Sequence, residues 1–320
     1  MPVAQARLSP GNGETPVPRR VASAIMAPAM SPSSVLRALI ITILAASAPL
    51  ALAQDDNFTP FVISADEVVH RMLRMADVGP GDYLIDLGSG DGRIPIAAAK
   101  RYGARGLGVD LDPPLVELAR KNAALEGVAG KVRFEVKDLF DTDLSQATVV
   151  AFYLLPDVAM QLRPKLLKEL KPGTRIVAHD YKLGDWPPDE WTSIRVPDKP
   201  VAPVGISQVF LWVVPANARG HWESEIGDER VAIDIEQTFQ VIKARISSEG
   251  AARDANSGPP LEVRAARLLG EDIHLVVTGK LGGRDGIHRF SGRVRGERME
   301  GEILTGTRAP ERMAWSALRK

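Results

Sequence analysis

The sequence predicts a doubly wound α/β domain followed by a small antiparallel β domain. Two observations predict the first part. Strand-sized apolar runs alternate with helix-sized amphipathic ones from residue 64 to about residue 215, and a glycine-rich bend, Gly88-Ser89-Gly90-Asp91-Gly92, follows the first apolar run. A third observation predicts the rest: past Pro215 the helical period vanishes and two-residue alternation takes over.

Ser64-Ala65-Asp66-Glu67 reads as a capping box, with Ser64 and Glu67 satisfying free backbone N–H groups. Behind it Val68, Val69, Met72, Leu73 and Ala76 recur at helical spacing until Gly79-Pro80-Gly81 breaks the chain. Residues 83–87 form a short buried strand, and residues 92–102 a helix closed by Gly103. The unit repeats with a strand at 107–110 and a helix capped by Asp112, Pro113 lying in its first turn. Strands follow at 132–136 and 147–153, with room between them for only a turn or two of helix. Residues 157–170 are helical by period, and Pro164 is expected to split or kink them. A fifth strand spans 174–178, and segments 192–196 and 208–214 form a closing pair. The result is a Rossmann-like sheet of seven strands within residues 54–215. In residues 221–320, runs at 231–235, 273–277, 288–294, 299–304 and 313–318 predict a sandwich or partial barrel.

Composition narrows the function classes. Lys plus Arg and Asp plus Glu each number 40, so no net field draws the chain to nucleic acid or an acidic membrane, and neither partner is expected. The chain has no cysteine, which excludes disulfides, Cys-ligated zinc and a Cys nucleophile. His221, His274 and His288 lack metal-ligand spacing, so no metal is expected. Residues 1–53 read as a disordered start, rich in Pro, Ala, Ser and Gly to residue 33, followed by a signal-peptide-like segment, and not as fold. Arg37 precedes an apolar run at 38–44, and Ala51-Leu52-Ala53 matches a signal peptidase site. Counted from Met30 this is a compact signal peptide, and an exported chain beginning at Gln54 is the expectation. An uncleaved anchor or a tail on a cytoplasmic protein is the alternative.

The chemistry concentrates at Leu84-Ile85-Asp86-Leu87-Gly88-Ser89-Gly90-Asp91-Gly92-Arg93. A strand feeding a glycine bend that opens a helix brings backbone N–H groups close to a ligand, a logic shared with dinucleotide sites. Three features favour S-adenosylmethionine. Asp86, two residues before the first glycine, repels a pyrophosphate but suits a cationic amino-acid end. Arg93 stands where the dinucleotide fingerprint needs its third glycine. Asp138, followed by Leu139 and Phe140, is placed to take an adenine amino group and cover its ring. Asp110, with Leu111 beside it, suits ribose hydroxyls in either ligand.

With these residues in place, the core resembles class I S-adenosylmethionine-dependent methyltransferases over residues 59–214, Leu170-Lys171-Pro172-Gly173 before the fifth strand included. More narrowly, the run from Asp86 to Ile94, Asp138-Leu139 and Tyr153-Leu154-Leu155-Pro156 are similar to the lysine N-methyltransferases of the ATP synthase c subunit and their bacterial relatives. The resemblance implies protein lysine methylation, with Asp86, Gly88, Gly90, Asp110 and Asp138 as cofactor contacts and Leu111 and Leu139 beside them. Two features depart from that family: the signal-like start, and the C-terminal β domain, which the short mitochondrial enzymes lack. Export also conflicts with a donor made in the cytosol.

On the acceptor side, Tyr153 at the end of the fourth strand either lines a lysine channel or packs as an aromatic rim. His179 is a candidate general base, and Asp180 either faces the substrate or closes a turn on its own backbone. Arg163, Lys165, Lys168 and Lys171 read as the wet face of a helix, and the five tryptophans as packing residues. The rival functions are an RNA or small-molecule methyltransferase on the same fold, and an envelope binding protein with an auxiliary core.

Overall fold

In the computed structural model, residues 64–199, 204–248, 261–306 and 310–320 are described. The signal-like segment 1–53 lies outside them. The first sheet takes the order β3-β2-β1-β4-β5-β7-β6. Its strands are β1 (Tyr83–Leu87), β2 (Arg105–Asp110), β3 (Val132–Val136), β4 (Val149–Phe152), β5 (Arg175–His179), β6 (Glu190–Arg195) and β7 (Ile206–Val213). The first five are parallel, and β7 runs antiparallel to both β5 and β6.

Helices cover both faces, and strand alternation decides which side chains each helix meets. α1 (Asp66–Met75) buries Val68, Val69, Met72 and Leu73 in a cluster with Leu84, Val149, Ala151 and Val177. α4 (Pro156–Glu169) buries Ala159, Leu162 and Leu166 on the other face, against Ile85, Leu87, Val150 and Phe152. α2 (Arg93–Tyr102) places Ile94 and Ala98 in the first cluster, while its Ile96 and Ala99 meet Val116, Ala119 and Ala123 of α3 (Pro113–Leu125). Fully burying a Val, Leu, Ile, Phe or Met side chain contributes about 1.5–3 kcal/mol.

Two expectations are corrected here. Pro164 does not split α4, which runs unbroken from Pro156 to Glu169. The residue is exposed, so the Met160 carbonyl, whose helical donor the proline removes, faces the solvent side. No capping box forms either: Ala65 is the N-cap of α1 and makes no side-chain cap bond. Ser64 instead turns its hydroxyl inward to His179.

The second sheet has the order β10-β9-β8-β15-β14-β13-β12-β11, antiparallel throughout. Its strands are β8 (Gly220–Ile226), β9 (Glu229–Thr238), β10 (Val241–Ser248), β11 (Glu262–Leu269), β12 (Asp272–Leu281), β13 (Arg284–Arg295), β14 (Arg298–Thr305) and β15 (Glu311–Arg319). The end strands β10 and β11 come alongside each other, so the meander curls into a barrel, not a sandwich. Its interior is filled by Trp222, Ile233, Leu275, Met299, Phe290 and Trp315, the last two meeting edge to face at 5.2 Å.

Thr59–Lys320 form one compact unit containing both sheets. Phe239, in the turn between β9 and β10, stacks on buried Trp186 at 5.5 Å, and Trp186 in turn lies 6.3 Å from Trp212 of β7. The indole Nε1–H of Trp186 donates to Gln240 Oε1 at 2.8 Å, and Ala216 N–H donates to the Gly270 carbonyl at 2.8 Å. Trp186, Trp212, Trp222 and Trp315 are packing residues as expected, but Trp191 is 59% exposed.

Candidate active site

The C-terminal ends of β1, β2, β3, β4 and β5 line one edge of the first sheet. Chain order reverses between β1 and β4, and ligands of open α/β sheets bind at such a switch point. Asp86, Gly88, Gly90, Asp110, Leu111, Asp138, Leu139, Tyr153, His179 and Asp180 all lie at or just past that edge.

Asp86 is the least comfortable group there. Its carboxylate is fully buried, and Oδ1 has no hydrogen-bond partner among the described residues. Burial raises its pKa well above the ordinary carboxylate value, and the nearby Asp110 and Asp91 raise it further. A buried carboxylate facing two more of the same sign is a site built for a cation or a strong donor. The buried Ser89 hydroxyl of the glycine bend likewise has no partner among the described residues.

Asp110 is held in place by the glycine bend. Gly90 N–H donates to its Oδ2 at 2.8 Å and Asp112 N–H to its Oδ1 at 3.0 Å. Each oxygen keeps a second lone pair, enough to accept a vicinal pair of hydroxyls. Asp138 caps a short 3₁₀ turn (Leu139–Asp141), its Oδ1 accepting from Phe140 N–H at 2.8 Å. Leu111 is 56% and Phe140 38% exposed, apolar surface left open between the β2 and β3 ends. Among the glycines, Gly92 serves packing and not a ligand. Its φ is +80°, and a Cβ there would lie 2.6 Å from the Phe134 ring and 2.8 Å from Ala119 Cβ. Arg93 pairs with Asp91 at 2.6 Å and donates to the Ser64 carbonyl at 2.7 Å, so it braces the bend.

Past β4 and β5 a second, buried network forms. The half-buried Tyr153 donates its hydroxyl to Asp180 Oδ2 at 2.9 Å, and its ring lies 3.9 Å from that of His179. Burial raises the Tyr153 pKa, and the Asp180 carboxylate raises it further, so the phenol stays neutral. Asp180 does not close a turn on its own side chain. At φ +63° it reaches β7, Oδ1 accepting from Gln208 N–H at 2.9 Å. His179 is buried behind Tyr153, with Ser64 Oγ 2.8 Å from Nδ1 and Ser207 Oγ 2.8 Å from Nε2. Burial pushes its pKa down to about 4, Asp180 opposing and Lys199 adding to the effect. With both ring nitrogens occupied and no open face, His179 supports Tyr153 and is not a general base.

The sequence reading missed Ser64, Ser207 and above all Lys199, whose buried ammonium lies 2.5 Å from Asp180 Oδ2. Only its place in Pro197-Asp198-Lys199-Pro200 marks it in the sequence, a turn signal with no periodicity. Of the basic helix cluster, Lys165 pairs with Glu169 at 2.8 Å, and Arg163 bonds the Leu183 carbonyl and Asp185. Among the described residues no group of three or more His, Asp or Glu is placed to hold a metal ion.

Known proteins share this stretch. The family model for the ANTKMT methyltransferase domain matches residues 86–190. A protein-lysine N-methyltransferase of Saccharolobus islandicus (strain REY15A) is 42% identical over 132 residues, 41% of this chain and 82% of that protein. The lysine N-methyltransferase of the ATP synthase c subunit from Homo sapiens is 38% identical over 133 residues, 42% of this chain and 56% of that protein, so the chain spans little more than half of it. A solved RNA methyltransferase from Salinibacter ruber, in complex with S-adenosyl-L-homocysteine, is 48% identical. That match covers 48% of this chain and 93% of the other, at a TM-score of 0.43.

Proposed function

This chain belongs to the S-adenosylmethionine-dependent protein-lysine N-methyltransferase family, and from that premise we propose that it methylates the side-chain amine of a lysine within a protein. The observation that carries the acceptor is the extent of the match to the archaeal lysine enzyme, 82% of its length at 42% identity. The donor side is supported independently by buried Asp86, whose Oδ1 has no partner among the described residues, a fit for a cationic ligand.

S-adenosylmethionine, when bound, supplies a methyl group made electrophilic by the sulfonium. Asp86 would take the cationic amino-acid end, relieving the repulsion it now feels from Asp110 and Asp91. Asp110 would hold the ribose hydroxyls, Gly88 and Gly90 let the backbone approach, and Asp138 with Leu111 and Leu139 would frame the base. Catalysis then rests mostly on holding acceptor and donor aligned and close, worth up to about 7–11 kcal/mol in well-oriented systems. The acceptor must first lose a proton, since a free lysine titrates near about 10.4. The Tyr153 ring, tilted against neutral His179 at 3.9 Å, gives the acceptor an uncharged wall, and burial of the amine beside it disfavours the ammonium form.

The test is transfer of labelled methyl from S-adenosylmethionine into a cell extract, with the product sorted by class. Label that protease releases and acid hydrolysis returns as methyllysine supports the reading. Label recovered in RNA or in small molecules overturns the lysine acceptor while leaving the donor site intact.

A further inference from the structure

Lys199 is an unusual residue for its surroundings. Lysines are almost never fully buried unless paired, and this side chain is 5% exposed. Its ammonium lies 2.5 Å from Asp180 Oδ2 and donates to the Ile206 carbonyl at 2.7 Å. Asp180 is itself fully enclosed and takes three further hydrogen bonds or close contacts: from Gln208 N–H at 2.9 Å, from the Tyr153 hydroxyl at 2.9 Å, and from His179 Nε2 at 3.4 Å. A buried ion pair of this kind is weak evidence for stability, because well-packed apolar residues serve a core as well or better. Its position argues for another role, since Tyr153, the one group of the network that remains partly open, lies at the end of β4 beside the switch point.

We propose that Lys199 is a positioning residue for methyl transfer: it holds the Asp180 side chain in place, and Asp180 fixes the Tyr153 hydroxyl proton inward. The Tyr153 oxygen then turns only lone pairs toward the acceptor. It accepts a hydrogen bond from an N–H of the incoming amine, and so aims the nitrogen lone pair without competing for it. Without that acceptor held in place, the phenol proton would be free to rotate outward and donate to the very lone pair that must attack. Tyr153 keeps its proton throughout and no bond to it is made or broken. The inference rests on the lysine-acceptor reading only for the identity of the amine.

The test uses the full chain with Lys199→Arg, Lys199→Met and the double variant Lys199→Met/Asp180→Asn, which removes both buried charges and keeps the core paired. S-adenosylmethionine affinity is measured by calorimetry and folding by thermal melting. Transfer is followed with the extract fraction that takes the label. The expected result is affinity for S-adenosylmethionine within about 2-fold of wild type throughout, and kcat lowered about 10- to 100-fold in both Met-containing variants with KM for the acceptor little changed. Lys199→Arg restores most of the rate. A tyrosine ring-carbon NMR signal for Tyr153, read without any acceptor, is expected to move in the double variant and not in Lys199→Arg. A double variant that folds like wild type and keeps full kcat reduces the pair to a structural tie and overturns the proposal. So does a loss of S-adenosylmethionine affinity that parallels the loss of rate. Label in RNA defeats the lysine reading alone, because the same three variants can then be compared on that fraction.

Discussion

Replacing Asp86 by Asn is expected to make the protein more stable and a poorer binder at once. The raised pKa of Asp86 means that the fold holds its proton to higher pH than the unfolded chain does. Between the ordinary carboxylate value and the raised one, the folded state binds more protons, so stability falls as pH rises through that window. Asn removes the titration and the repulsion from Asp110 and Asp91 while keeping the shape. Asn is still a buried polar group but an uncharged one, and the part of the desolvation cost that it lifts is about 1–3 kcal/mol. For a unit of this size that is a rise in Tm of about 2–12 °C, at about 2–4 °C per kcal/mol. The same change removes one charge-assisted hydrogen bond to the ligand, about 1.5–3 kcal/mol, or about 10- to 150-fold in Kd for S-adenosylmethionine. Thermal melting at pH 8 and calorimetry read the two numbers on one preparation. A variant that melts lower than wild type, or binds S-adenosylmethionine equally well, would refute the reasoning.

Three other outcomes are open to direct measurement. Asp110→Ala is expected to weaken S-adenosylmethionine binding by at least about 10-fold, the loss of a hydrogen bond to a charged group; equal binding by calorimetry removes Asp110 from the site. His179 is neutral in the fold with a pKa of about 4, against an ordinary 6.5, so the unfolded chain binds more protons between those values. Its contribution, at most about 3 kcal/mol, is present above pH 6.5 and lost as pH falls toward 4; denaturant titrations across that window should show the drop, and His179→Asn should flatten it. The mass of the protein purified from its native host is expected to place the mature N-terminus at Gln54, and an intact Met1 or Met30 there ends the export reading.

The parts of the site that read easily from the sequence are those that lie in one short stretch. Asp86, the glycine bend and Asp110 sit at strand ends that period and punctuation both mark, and the first sheet's strands fall within a few residues of expectation. The Tyr153 network was only half visible because its members come from residues 64, 153, 179, 180, 199 and 207, joined by pairings between β4, β5 and β7 that no local pattern encodes. Ser64 shows the failure in miniature. Its local sequence favours a cap, yet the hydroxyl bonds a histidine 115 residues away. The barrel was underread for a different reason: β11 buries only Leu268 fully, so it shows no alternation to recognise.

The two ends of β5 answer to different neighbours. At its far end stand His179 and Asp180; before its near end, Gly173 lies against Gly270 of the barrel, where a Cβ on Gly270 would come within 3.1 Å of the Gly173 backbone. The barrel therefore meets the first sheet at the end of β5 opposite His179 and Asp180. A second grip lies in the chain between Asp180 and β6, which passes under Phe239 at Trp186, so the segment that leaves the Asp180 network is clamped by a barrel turn before it reaches β6.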